Sequence, residues 1–149
     1  MNDLYGTDFA LWSERQADAL RRRAANEIDW DNVAEEIESL GNRERRELEH
    51  RVETVLDHLM RLAASPANDP RRGWRRTVTE QRSAIAKLLR DSPGLRPAVG
   101  GIIAAAMPTA RQLATEALEE YDETPSVPLD QFAYNEDVVL GRWLPEGEP

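Results

Sequence analysis

Residues 31–64 read DNVAEEIESLGNRERRELEHRVETVLDHLMRLAA. Val33, Ile37, Leu40, Leu48, Val52, Val55, Leu59 and Leu62 recur at steps of three, four or eight. They hold one angular phase at about 100° per residue, the signature of a single amphipathic helix. Asp29 or Asp31 can cap its start, and Glu35 and Glu36 suit the first turns, where the helix dipole favours acids. Gly41 falls on the same face. Glycine often ends a helix, but the phase continues past it, so the spacing predicts one long helix with room at Gly41 for a close neighbour.

The flanking sequence reads the same way. A first helix is expected over residues 8–25, capped by Thr7, with Phe9, Trp12 and Leu20 near one face. Ser65-Pro66-Ala67-Asn68-Asp69-Pro70 is a loop by composition. A third helix is expected over residues 72–91, with Trp74, Val78, Ile85 and Leu88 in phase, and Ser92-Pro93-Gly94 breaks it. A fourth is expected over residues 97–121, with a stripe of Val99, Ile102, Ile103, Ala106, Leu113 and Ala117. Gly100, Gly101, Ala104 and Ala105 allow tight helix contact there, and Pro108 is expected to kink it. Beyond Tyr121 the chain carries Pro125, Pro128 and Pro145, with room for a short helix at residues 137–142 and an apolar anchor at Trp143-Leu144. No run alternates like a strand, and no Asn-Gly or Asp-Gly turn occurs. The fold class is therefore all-α: a bundle of about four main helices with an irregular C-terminal extension. Residues 1–149 read as one domain, with 121–149 packed on the bundle.

Composition narrows the chemistry. The 149 residues are 40% hydrophobic, enough for one core, and contain no cysteine, which excludes disulfides, thiolate metal sites and a cysteine nucleophile. Met1-Asn2-Asp3-Leu4-Tyr5 has neither a basic start nor an apolar run, so no signal peptide is expected. The longest apolar stretch, Ala98 to Met107, is half of the ~20 residues a membrane span needs. The expected compartment is the cytoplasm, with no membrane partner. A net charge of −9 disfavours general nucleic-acid affinity. The charge is uneven: residues 71–90 hold seven bases and one acid, residues 115–149 ten acids and one base. The basic segment is expected to be matched by the chain's own acids, on the second helix and around residues 116–123, or by those of a second copy.

Several stretches match a known pattern. Ile28-Asp29-Trp30-Asp31-Asn32-Val33-Ala34-Glu35-Glu36-Ile37-Glu38-Ser39-Leu40-Gly41, followed by Glu44-Arg45-Arg46-Glu47-Leu48, resembles the signature of a bacterial family catalogued as domain of unknown function 29. Leu4-Tyr5, Thr7-Asp8-Phe9 and Trp12 are similar to its opening. Trp74-Arg75-Arg76-Thr77-Val78 with Glu80-Gln81-Arg82 is similar to its third-helix motif, and Asp91-Ser92-Pro93-Gly94-Leu95-Arg96-Pro97 to its interhelical turn. Trp143-Leu144-Pro145-Glu146 is similar to its ending. Three features depart from the pattern: Arg61-Leu62-Ala63-Ala64-Ser65 replaces an aromatic segment after His58, a C-terminal Cys-Pro pair is absent, and Pro108 stands in ordinary helix. The resemblance implies a helical fold and carries no activity.

Three constellations hold candidate chemistry. Glu47-Leu48-Glu49-His50 contains one Glu-x-x-His pair, whereas a di-metal carboxylate bundle needs two copies and two further glutamates. His50 also points with Arg46, Glu53 and Asp57, to the polar side. A second cluster lines the edge of the long helix's stripe: Glu36, Glu44, Glu47, Arg51 and His58, with Arg75 and Arg82 of the third helix as partners. It reads first as an interhelical salt-bridge network and second as a carboxylate–histidine pocket for a metal or small ligand. Arg71-Arg72-Gly73-Trp74-Arg75-Arg76 suits a phosphate backbone with a stacked base, but Trp74 is in phase with the core. No phosphate-binding glycine loop or nucleophile elbow is present. The sequence thus points to no catalytic residue, bound metal or cofactor. The leading expectation is a non-enzymatic helical module that binds another protein or itself. The alternative is a metal-dependent hydrolase or small-ligand binder using Glu36, Glu44 and His58. Nucleic-acid binding through residues 71–90 is the weaker third reading.

Overall fold

The computed structural model describes residues 3–145. Met1, Asn2 and Glu146, on which parts of the sequence reading fall, lie outside the described residues. The order is α1 (Leu4–Thr7), α2 (Phe9–Arg22), α3 (Trp30–Ala64), α4 (Arg71–Asp91), α5 (Val99–Glu120) and α6 (Glu136–Leu140), with 3-10 turns at Ala25–Glu27, Pro93–Ala98 and Leu129–Gln131. Among the described residues there is no strand, and the fold is all-α. The chain groups into two compact units, one ending at Arg43 and the other beginning at Glu44.

In the first unit Asp8, not Thr7, caps α2: its carboxylate accepts the Leu11 amide at 3.0 Å, while the Thr7 hydroxyl donates to the Asp3 carbonyl at 2.8 Å. The helix ends at Arg22, short of the expected residue 25, because Arg23 takes a left-handed conformation with φ 57°. Its amide and that of Ala24 close back onto the Leu20 and Ala19 carbonyls. Trp12 and Ala19 are buried, whereas Phe9 and Leu20, expected on the same face, are exposed. The Tyr5 ring meets Trp12 edge-on at 4.8 Å.

Asp29 prepares the start of α3. It accepts the Trp12 indole at 3.1 Å and the Asn32 side-chain amide at 2.8 Å. Its carboxyl is held below the usual range mainly by the Asn32 side chain, with help from Trp12 and the Asn32 backbone N–H. The helix then runs through Gly41 without a break to Ala64. Gly41 does not mark a close neighbour: an added Cβ would find nothing within 4 Å.

The second unit is built around the latter half of α3. Leu48, Val52, Val55, Leu56, Leu59, Met60, Leu62 and Ala64 are buried, so this half is enclosed on nearly every face. Each large side chain taken fully out of water there is worth about 1.5–3 kcal/mol. Val78, Ile85, Leu88 and Leu89 of α4 and Val99, Ile102, Ile103, Ala106, Ala110, Ala114 and Leu118 of α5 complete the core, with Trp74 packed half-buried against it. The last carbonyls of α3 are not left orphaned. Arg71 donates to Leu62 and Ser65 carbonyls at 2.6 and 3.2 Å, and the Ser126 amide donates to Ala64 at 2.7 Å. Pro108 lies inside a continuous α5. It sits on the exposed side, as does Ala104, the residue whose carbonyl Pro108 cannot serve as donor. At the expected tight face of residues 100–105, Gly100, Gly101, Ala104 and Ala105 are exposed. The close approach there is at Gly100, where a Cβ would lie 3.1 Å from the Glu136 carboxylate of α6.

Candidate functional site

The apolar stripe of α3 changes character along its length. From Leu48 onward it is buried at 0–1% exposure, but Ile37 and Leu40, in the same phase, are 64% and 58% exposed. Val33 beside them is half-buried. Two large aliphatic side chains on successive turns of a well-formed helix are thus exposed among the described residues, which is uncommon for a stripe whose later residues form a core.

The polar cluster at the edge of this stripe does not assemble as a network between helices. Glu36 accepts the Tyr5 hydroxyl at 2.6 Å, and this bond pushes the phenol up to about 12. Glu44 is half-buried and has no ion pair among the described residues. Glu47 pairs with Arg51 at 3.0 Å along the same helix, and Arg51 reaches α4 through Gln81, also at 3.0 Å. Arg75 is exposed and bonds to none of the cluster. Glu44 and His58 are fourteen residues apart on one helix, so about 21 Å separates them along its axis. They cannot meet at one ion. Among the described residues no three His, Cys, Asp or Glu side chains stand close enough to hold a metal.

Arg82 is the largest departure from the expected pattern. It does not answer a carboxylate. Its Nε donates to the Val139 carbonyl at 2.8 Å, and its Nη2 to the Val138 and Trp143 carbonyls at 2.7 Å each. The Val138 and Val139 carbonyls are acceptors that the short α6 leaves open at its end, and that of Trp143 lies just beyond it. One guanidinium thereby ties the C-terminal extension to α4, helped by the buried Val139 and Leu129 and by Arg111, which donates to the Leu129 carbonyl at 3.2 Å. The predicted Trp143-Leu144 anchor has its indole 47% exposed, with Leu144 packed on the core.

Asp57 was expected on the polar side of the helix and is instead 5% exposed. It holds Arg61 through two bonds of 2.9 and 2.8 Å. His58 beside it points Nδ1 at the Thr54 carbonyl, 2.9 Å away. A carbonyl only accepts, so Nδ1 carries the proton. Burial is the main cause that lowers the His58 pKa. Arg61 also lines an open cleft of about 760 Å³, together with Trp74, Leu118, Tyr121 and Glu123. Glu123 is fixed by the Ser65 hydroxyl at 2.7 Å.

The basic segment is matched differently from expectation. Arg71 and Arg82 are spent on carbonyls, and Arg76–Glu80 and Lys87–Asp91 are exposed pairs within α4. Among the described residues no ion pair joins these four basic residues to the acids of α3 or of residues 116–123.

What these features define is an all-α protein with one long helix, a tied-down C-terminal extension and two exposed aliphatic residues, Ile37 and Leu40, on that helix. Residues 4–143 match the family described as Domain of unknown function DUF29, and the chain belongs to it. No curated protein and no solved structure matches it.

Proposed function

We propose that this protein is a non-enzymatic helical module that associates with another protein or with itself. The observation that carries the reading is the exposed pair Ile37 and Leu40, continuous in phase with a stripe that is otherwise core. Large exposed aliphatic residues aligned on a rigid helix lose water-exposed area only when another molecule covers them. No described helix is long and apolar enough to cross a membrane.

The test compares the native chain with Ile37→Ser/Leu40→Ser. Both positions are exposed, so folding is unaffected and circular dichroism of the two should coincide. The native chain is expected to sediment above monomer mass, or to retain a host protein on an affinity column, and the double variant to lose that property. A native chain that is monomeric and retains nothing beyond what the variant retains would remove the reading.

A further inference from the structure

Among the described residues two polar side chains are buried outright, Asp57 and Ser65, each 5% exposed. Burying a polar group costs free energy unless it is hydrogen-bonded, so what each one bonds to is informative. Asp57 accepts from Nε and Nη2 of Arg61 at 2.9 and 2.8 Å. Ser65 donates to Oε2 of Glu123 at 2.7 Å and accepts the Ala67 amide at 3.1 Å. Arg61 and Glu123 line the same open cleft of about 760 Å³. Both buried polar residues therefore fix a charged group on the wall of one cleft, and that cleft lies wholly within the second unit.

Arg61 and Glu123 are opposite in charge, yet no ion pair joins them. Their anchors, Asp57 and Ser65, are eight residues apart, about 12 Å along the helix axis, and hold the two charges away from each other. Nη1 of Arg61 and Oε1 of Glu123 have no hydrogen-bond partner among the described residues. The rest of the wall includes Trp74, packed half-buried against the core, the buried Leu118 and the exposed Tyr121. Asp69, the other charge on the wall, is exposed.

We propose that this cleft binds a small zwitterion, its carboxylate on Arg61, its ammonium on Glu123 and an apolar body against Trp74 and Leu118. The ligand is an amino acid with an apolar side chain, or a short peptide of such residues. Hydrogen bonds between charged partners are about twice as strong as neutral ones. A guanidinium and a carboxylate that are already held in place have less freedom left to lose when a ligand arrives. An apolar wall with a few placed polar groups is the usual make-up of a small-ligand site, and the volume suits one. A ligand with a single charge answers one of the two groups and leaves the other unmet. Asp69 adds to the attraction for the amine end. The inference goes beyond the association reading and uses neither Ile37 nor Leu40.

Calorimetric titration of the full chain with phenylalanine and with the dipeptide alanyl-phenylalanine tests this. At least one is expected to bind with a Kd below about 10 mM, and the tighter of the two tells whether free amino acids or peptides are the source. Amidating its carboxylate, or acetylating its amine, removes one charge and should weaken binding at least about tenfold. Glu123→Gln keeps an acceptor for Ser65 and removes the negative charge, so the free and acetylated ligands should bind this variant equally. Removing Arg61 alone would leave Asp57 buried and unpaired. Asp57→Leu/Arg61→Met takes out both charges together, and the free and amidated ligands should bind that variant equally. Circular dichroism checks that the variants fold; if the double variant does not, Glu123→Gln and the two derivatives still decide. Neither zwitterion binding in that range, a derivative binding as tightly as its parent, or Glu123→Gln still preferring the free ligand to the acetylated one overturns the inference.

Discussion

Arg82 and Tyr134 show how single side chains hold the C-terminal extension. Three carbonyls converge on one guanidinium at 2.7–2.8 Å, and a charged donor to a partly buried acceptor is worth more than a neutral one. Arg82→Ala is expected to lower stability by about 1–3 kcal/mol and to open residues 129–145 to protease, read by denaturant midpoint and limited proteolysis. Arg82→Lys should recover little, because one ammonium cannot span acceptors that a planar fork reaches from Nε and Nη2. An unchanged midpoint in Arg82→Ala would show that packing of Val139 and Leu129 alone secures the segment. Tyr134 is the opposite case. Its ring stacks on Phe132 at 5.6 Å, but its buried hydroxyl has no hydrogen-bond partner among the described residues. Tyr134→Phe removes an unmatched polar atom and keeps the shape, so stability should hold or rise by up to about 1 kcal/mol. A clear loss in equilibrium unfolding would mean the hydroxyl is satisfied after all.

At the scale of the element, α3 carries most of what the sequence revealed and most of what it concealed. Its length was legible because eight apolar residues keep phase across Gly41, and no local signal outweighs that. Whether the stripe is covered was not legible: Ile37 and Leu48 look alike to periodicity, and exposure depends on what other elements place over them. The burial of Asp57 had a weak signal. Val55-Leu56 and Leu59-Met60 put apolar residues on adjoining faces, which marks an enclosed helix, and an Asp four residues before an Arg supplies its own partner. The partners of Arg82 had none, since a backbone carbonyl carries no residue identity. Gly41 gives a direct check on the element. It is exposed, helical and free of neighbours, so Gly41→Ala should stabilise the chain by about 0.5–1 kcal/mol at concentrations where it is monomeric. A destabilised variant would mean that a backbone or ligand lies closer to this turn than the described residues show.

Over the whole molecule the acid side of the stability profile should depend on His58. Burial is the main reason the folded protein resists charging this ring; Arg61 adds to it, while Asp57 at 3.6 Å and the Thr54 carbonyl favour the charged form. The folded state therefore takes up the proton less readily than the unfolded chain. Stability is whole above the ordinary imidazole value of 6.5 and falls as pH drops below it, levelling once the lower folded value is passed. Between about pH 7 and 5, His58→Gln should show a shallower decline than the native chain, measured by denaturant midpoints across that range. Equal slopes would assign the decline to carboxylates instead. The contrast between the two halves of α3 also has a kinetic meaning. Backbone amides in Val55–Leu62 sit where only full unfolding frees them, while those near Ile37 and Leu40 are shielded by one helical ladder and little else. A single unbroken helix should thus exchange its hydrogens for deuterium at two widely different rates, and it can loosen around Ile37 and Leu40 while its last turns remain intact.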